Sequence, residues 1–191
     1  MSVRWFSMLG GLTAAVIAAG SVALSASAPT VEKTPAPVPP KPNFSSMNFL
    51  LGNWTCSTKS ARRPAAYITT SVTTIDPTGY WMVTKSLTKA MAWFPYPTNT
   101  TDLVTYDPTA KRWVDVFSGD FGAYDVTTAP GWTGHTIVWT DQLFVPGPDI
   151  MAQTPTTVTK VSATKTTAHS TFRERSSGRW IAVDTVCTKN S

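Results

Sequence analysis

The chain has 191 residues, of which 42% are hydrophobic and only 14% charged, and a formal net charge of +5. Its basic residues are scattered, at Arg62-Arg63, Lys111-Arg112 and Arg173 with Arg175, and no basic stripe is interleaved with exposed aromatics, which argues against nucleic acid as a partner, although a basic surface favours anionic partners in general. Thr is the commonest residue, and stretches jointly rich in Glu, Lys, Leu and Ala are few, so the composition favours pleated sheet over long helices.

Residues 1–28 read as a secretory signal: Arg4 gives a positive start, 5–24 carry no charge, and Ala26-Ser27-Ala28 or Ala23-Leu24-Ser25 offers a small-residue cleavage site. The alternative is an uncleaved anchor, because 5–24 approaches the length that spans a bilayer. With the signal removed, no stable membrane insertion is expected, and the location is secreted or periplasmic. Residues 29–42 contain Pro29, Pro35, Pro37, Pro39, Pro40 and Pro42, which fix extended backbone and read as a stiff linker that packs on nothing.

The remaining 43–191 form one domain of ordinary size. Residues 45–51 predict a short helical plug with Ser45 or Ser46 as its cap. Alternation and turn chemistry then predict strands at 52–60, 65–75, 80–89, 100–106, 112–118, 123–128, 135–142, 156–161, 166–174 and 180–188. Asp76-Pro77-Thr78-Gly79 and Ser176-Ser177-Gly178 are turns. Two apolar, Pro-containing loops interrupt the pattern, one at 90–99 around Trp93 and Phe94, the other at 143–154 around Leu143 and Phe144. About ten short strands without intervening helices leave a sandwich or an up-and-down barrel, and the plug favours the barrel.

Cys56 and Cys187 stand near the two ends of the domain. In an exported protein a lone pair of cysteines predicts one disulfide, with Cα atoms about 4.4–6.8 Å apart, stapling the seam between the first and last strands.

Three pieces carry a family resemblance, the third being the terminal strand pair around Gly178. Phe49-Leu50-Leu51-Gly52-Asn53-Trp54 is similar to the F-L-x-G-x-W that opens the DUF1579-like group of unknown function. Thr105-Tyr106-Asp107-Pro108, followed by Lys111, Trp113 and Phe117, resembles that group's Y-D-P turn and aromatic strand. The resemblance implies an antiparallel lipocalin-like (calycin) β-barrel, a fold that commonly binds small apolar ligands. The related nitrobindin group binds haem, but its G-x-W-x-G-x-G is broken here by Cys56 and Thr58. No cofactor is therefore expected. A haem held by a histidine such as His169 is the minor alternative. The family supplies no catalytic residue.

The residues themselves show no G-x-S-x-G, H-E-x-x-H, C-x-x-C or phosphate loop. His135 and His169 are too few for a metal site unless the disulfide is given up. Asp115 sits two residues from both Trp113 and Phe117, where a buried carboxyl acts as acid or base and an exposed one does neither. The leading expectation is an exported binding barrel for a small apolar ligand, lined by Trp81, Trp113, Phe117, Trp139 and His169, with the Trp93/Phe94 and Leu143/Phe144 loops as rim. The alternatives are a low-activity enzyme using Asp115 or His169 in the cavity, or a filled barrel acting through its surface.

Overall fold

The computed structural model describes residues 38–63, 65–92, 95–145 and 150–190. The chain divides into two units, Met1–Val38 and Pro39–Ser191. The expected signal segment and most of the linker lie outside the described residues, as do Trp93 and Phe94.

The domain opens with a 3-10 helix, Phe44–Leu50, capped by Asn43, whose side chain accepts the Ser45 N–H at 3.0 Å. The plug is thus present, but its cap is Asn43 and not Ser45 or Ser46. Gly52 follows with φ +107, a conformation in which a side chain is strained. A Cβ there would also lie 3.1 Å from Lys189 Cε. These two facts account for the glycine in the F-L-x-G-x-W run.

Eleven strands follow among the described residues: β1 Gly52–Ser60, β2 Tyr67–Ile75, β3 Met82–Thr88, β4 Thr98–Asp107, β5 Arg112–Gly119, β6 Tyr124–Ala129, β7 Thr136–Val145, β8 Ile150–Gln153, β9 Thr156–Ser162, β10 Lys165–Glu174 and β11 Trp180–Lys189. Each pairs antiparallel with its neighbours, and β11 pairs with both β10 and β1. The result is a closed ten-strand antiparallel barrel. Ten positions hold eleven strands because β8 and β9 share one flank of β10. β9 pairs with Lys165 to His169, and β8 with Phe172 to Glu174. Pro155 interrupts the two, and the Thr154 hydroxyl bridges the break by accepting the Thr171 N–H at 2.8 Å.

The second apolar loop is therefore shorter than expected, with β7 running on to Val145 and β8 occupying Ile150–Gln153. β7 pairs with β9 only over Thr136 to Trp139. Beyond Trp139, the flank of β7 that would meet β8 has no ladder partner among the described residues. The wall is parted there.

Cys56 and Cys187 are bonded and lie directly opposite each other across β1 and β11. Asn190 N–H bonds to Asn53 O, so the alternation of the ladder makes Cys56–Cys187 a non-hydrogen-bonded pair. Such pairs bring Cα atoms closest. The observed Cα separation is 3.9 Å, below the expected span.

Alternation sends Trp54, Thr58, Thr73, Met82, Trp113, Asp125, Ala129, Ile137 and Ile181 inward. At one end of the barrel Phe44 and Met47 of the plug pack on Met82, Trp113, Ala129 and Ile137. The plug is tied down by Trp54 Nε1, which donates to Leu50 O at 2.7 Å, and Lys189 Nζ, which donates to Phe49 O at 3.2 Å. Along β1–β3 and β11 the inward face carries several Thr. There Thr58–Thr185, Thr69–Thr88 and Thr73–Thr84 hydroxyls pair across strands at 2.7–2.9 Å. Cross-strand pairing of this kind satisfies polar groups inside a sheet.

The end of the linker is not free. Tyr80 Oη donates to Pro39 O at 2.7 Å, and Lys41 lies over the Tyr80 ring. Pro40, Lys41 and Pro42 border a depression whose other wall is Tyr106, Pro108 and Trp113. The expectation that this segment packs on nothing fails for residues 39–42.

Candidate functional site

The plug fills one end of the barrel, and the other end is hollow. A cavity of about 410 Å³ lies there, between β4–β7 on one side and β8–β9 on the other. Its apolar wall is made by Phe117, Trp139, Phe144, Ile150 and Val158. It reaches the surface beside Phe121 and Tyr124, both more than two-fifths exposed, where β7 and β8 part.

β5 sets the layers. Trp113, Asp115 and Phe117 point inward at successive levels. Trp113 sits at the plug level, 5.6 Å from the Phe44 ring and 5.2 Å from Tyr106. It is core and does not border the cavity. Phe117 is two levels further and does border it. Trp139 spans both regions, packing on the core and lining the cavity. Trp81 meets neither, because Met82, 1% exposed, holds the inward position and turns Trp81 to the other face. His169 stands on the outer wall, its side chain 58% exposed and its Nδ1 2.7 Å from Asp184 Oδ1. Of the residues expected to line a ligand, Phe117 and Trp139 border this cavity, and Trp81, Trp113 and His169 do not.

The cavity's polar side is a set of carboxyls. Asp102 on β4, Asp115 on β5 and Asp125 on β6 line it, and Asp141 on β7 pairs with Asp125. Oδ1 of Asp115, of Asp125 and of Asp141 is shut off from solvent and has no hydrogen-bond partner among the described residues. Burial disfavours the ionised form of all four. It pushes Asp102 up to about 6. Asp115 is held well above the usual carboxylate range by burial, and then by the Asp102 and Asp125 carboxylates beside it. Asp125 is raised to about 6 by burial and by Asp141, against the Val126 N–H that favours its charge. Burial raises Asp141 too, with the hydrogen bond from Asp125 opposing. Among the described residues no group of three or more acidic, His or Cys side chains is arranged to hold a metal ion.

Asp115 is the carboxyl that its aromatic neighbours had singled out. Asp102, Asp125 and Asp141 were not anticipated. The signal for them is one inward-parity Asp in each of four consecutive strands. It becomes visible only once the strands are aligned. His135 lies in the exposed turn before β7 and His169 on the outer wall, so neither presents a ring nitrogen to the cavity. A haem ligated by histidine does not fit this cavity, and His169 does not act within it.

No family model matches the chain, and no curated protein matches it. Among solved structures, the chain is similar in fold to Rv2717c from M. tuberculosis, with a TM-score of 0.57 and 14% identity over 78% of this chain and 97% of that one. A protein of unknown function of the DUF3598 family from Nostoc punctiforme gives a TM-score of 0.46 at 14% identity. That alignment covers 75% of this chain and 48% of the Nostoc protein, so this chain spans about half its length. At these identities the likeness is one of fold alone.

Proposed function

We propose that the protein is an exported barrel that binds a small molecule with an apolar body. The observation that carries this reading is the hollow end, a space of about 410 Å³ with aromatic and aliphatic walls. Ligand pockets are concave, mostly apolar, and about 300–1,000 Å³ in volume. The parted wall between β7 and β8 supplies an approach to it. The disulfide is consistent with an oxidising compartment, which supports the secreted or periplasmic location. The likeness of Phe49 to Trp54 and of Tyr106 to Trp113 to the DUF1579-like group supports the same lipocalin-like reading.

A neutral apolar dye, N-phenyl-1-naphthylamine, tests it. The dye brightens on binding and quenches Trp fluorescence by energy transfer. Phe117→Ala and Trp139→Ala should each weaken it by about tenfold, as expected for removing an aromatic wall from a small-ligand site. Trp113→Ala should instead lower the unfolding midpoint, because that ring packs on the plug. If the dye does not bind, or if Trp113→Ala weakens it as much as Trp139→Ala in the folded protein, the cavity is not the site.

A further inference from the structure

We infer that the cavity selects an organic cation, an ammonium group carried on an aromatic or alicyclic body, with the ammonium on the Asp102–Asp115 and Asp125–Asp141 side and the body against Phe117, Trp139 and Phe144. The inference rests on the binding reading above and adds the chemical class of the ligand.

Four consecutive strands each place one carboxyl inward at the hollow end. A buried carboxylate is normally matched by a cation or by several donors, because leaving it bare is costly. The barrel does match such groups elsewhere: Glu174, also buried, is held by Arg62 at 2.8 Å and by the Ser177 hydroxyl. At the cavity no cation does this among the described residues, and Asp125 has only the Val126 N–H and a hydrogen bond with Asp141. Like Asp102, Asp115 is deeply enclosed. Its Oδ1 lies out of solvent, without a partner among the described residues, in a side chain that faces the space. Oδ1 of Asp125 is in the same condition. The β8 and β9 walls answer with Gln153, Thr156 and Val158, none of which carries charge. Tyr124 is the other ionisable side chain at the lining. The missing positive charge is therefore left for a ligand to bring. An ammonium has donors and no acceptor, which suits bare carboxylate oxygens. An aromatic wall adds to this preference, because the face of an indole attracts cations. A dehydrated metal ion is a poorer fit, because the carboxyls are spread over four strands and do not converge on one point.

The carboxyls also set the direction of the pH response. Binding a cation favours their ionised forms, so it expels protons, and affinity rises with pH across the range in which Asp102 and Asp125 ionise, near 6.

The test uses three ligands of one shape: 1-naphthylmethylammonium, neutral 1-naphthalenemethanol and anionic 1-naphthaleneacetate. Each is titrated calorimetrically into the oxidised protein at pH 5 and pH 7.5, in two buffers of different ionisation enthalpy. The ammonium should bind at least about tenfold more tightly than the alcohol at pH 7.5, the scale of one buried charge pair. The preference should shrink at pH 5, the acetate should bind worst, and proton release should accompany the ammonium alone. Asp115→Asn should cut the ammonium preference by about tenfold, and Asp141→Asn, at a less enclosed position, is the second variant should the first not fold. If the alcohol binds as tightly as the ammonium at both pH values, the inference falls and the binding reading stands. If none of the three binds, both fall.

Discussion

At the scale of single residues, Asp102 shows how a buried carboxyl weighs against the fold. Its carboxyl is raised by burial from 3.8 to about 6. The folded state therefore holds its proton more tightly than the unfolded chain. That contribution to stability is complete below the unfolded value and is lost as pH rises through about 6. At roughly 1.4 kcal/mol for each pH unit between the two values, the loss amounts to about 3 kcal/mol at most. Asp102→Asn removes the charge and keeps a polar group. Urea unfolding should show it more stable than the wild type by about 1–3 kcal/mol at pH 7.5, and nearly equal to it at pH 4. A variant less stable at pH 7.5 would mean that the carboxylate is not a burden to the fold. Asp76 shows the opposite case, lowered by its hydrogen bond from Thr78 in a turn that it caps. Comparing variant with wild type at each pH cancels that contribution. Asp115 was legible because Trp113 and Phe117 flank it at the period of a strand. Asp102 sits among Thr100, Thr101 and Leu103, where alternation is weak. Asp125 stands opposite Phe144 and Asp141 opposite Thr127, a diagonal relation across a register shift in the β6–β7 ladder that no local pattern reveals.

At the scale of elements, the plug and the parted strands divide the barrel into a packed end and a hollow one. Met47 is 1% exposed and sits at the centre of the packed end. Met47→Ala should cost about 2–5 kcal/mol in urea unfolding, since the plug cannot collapse onto a barrel wall that is already closed. A cost below about 1 kcal/mol would show that the plug is dispensable to the fold. The strands themselves were legible almost throughout, because Thr, Val and Ile at period two are bounded by Asp-Pro and Gly turns. β8 was missed because four residues between proline-bearing stretches carry too little periodicity to separate a strand from a loop. Face assignment was the harder problem. An error of one residue at Trp81 exchanges it with Met82, and the sequence favours the larger ring for the interior. Trp113 faces inward as its alternation suggested. What alternation cannot show is the level along the barrel at which an inward ring stands, and that level decides between core and cavity.

At the scale of the whole molecule, the bond between Cys56 and Cys187 has a mechanical meaning. The two cysteines are 131 residues apart in sequence. They join strands that also lie side by side at the end where the chain enters and leaves, with Trp54 opposite Lys189. Nearly the whole barrel is thus a covalent loop hung from one point, and a force applied at the two ends runs through that point without entering the loop. Stretched between its termini, the oxidised protein should yield only the segments outside the loop. After reduction a further length of about 450 Å should appear, at about 3.3–3.6 Å per residue. If oxidised and reduced molecules extend equally, the bond does not close the loop. A barrel closed in this way keeps its cavity intact under tension between its two ends.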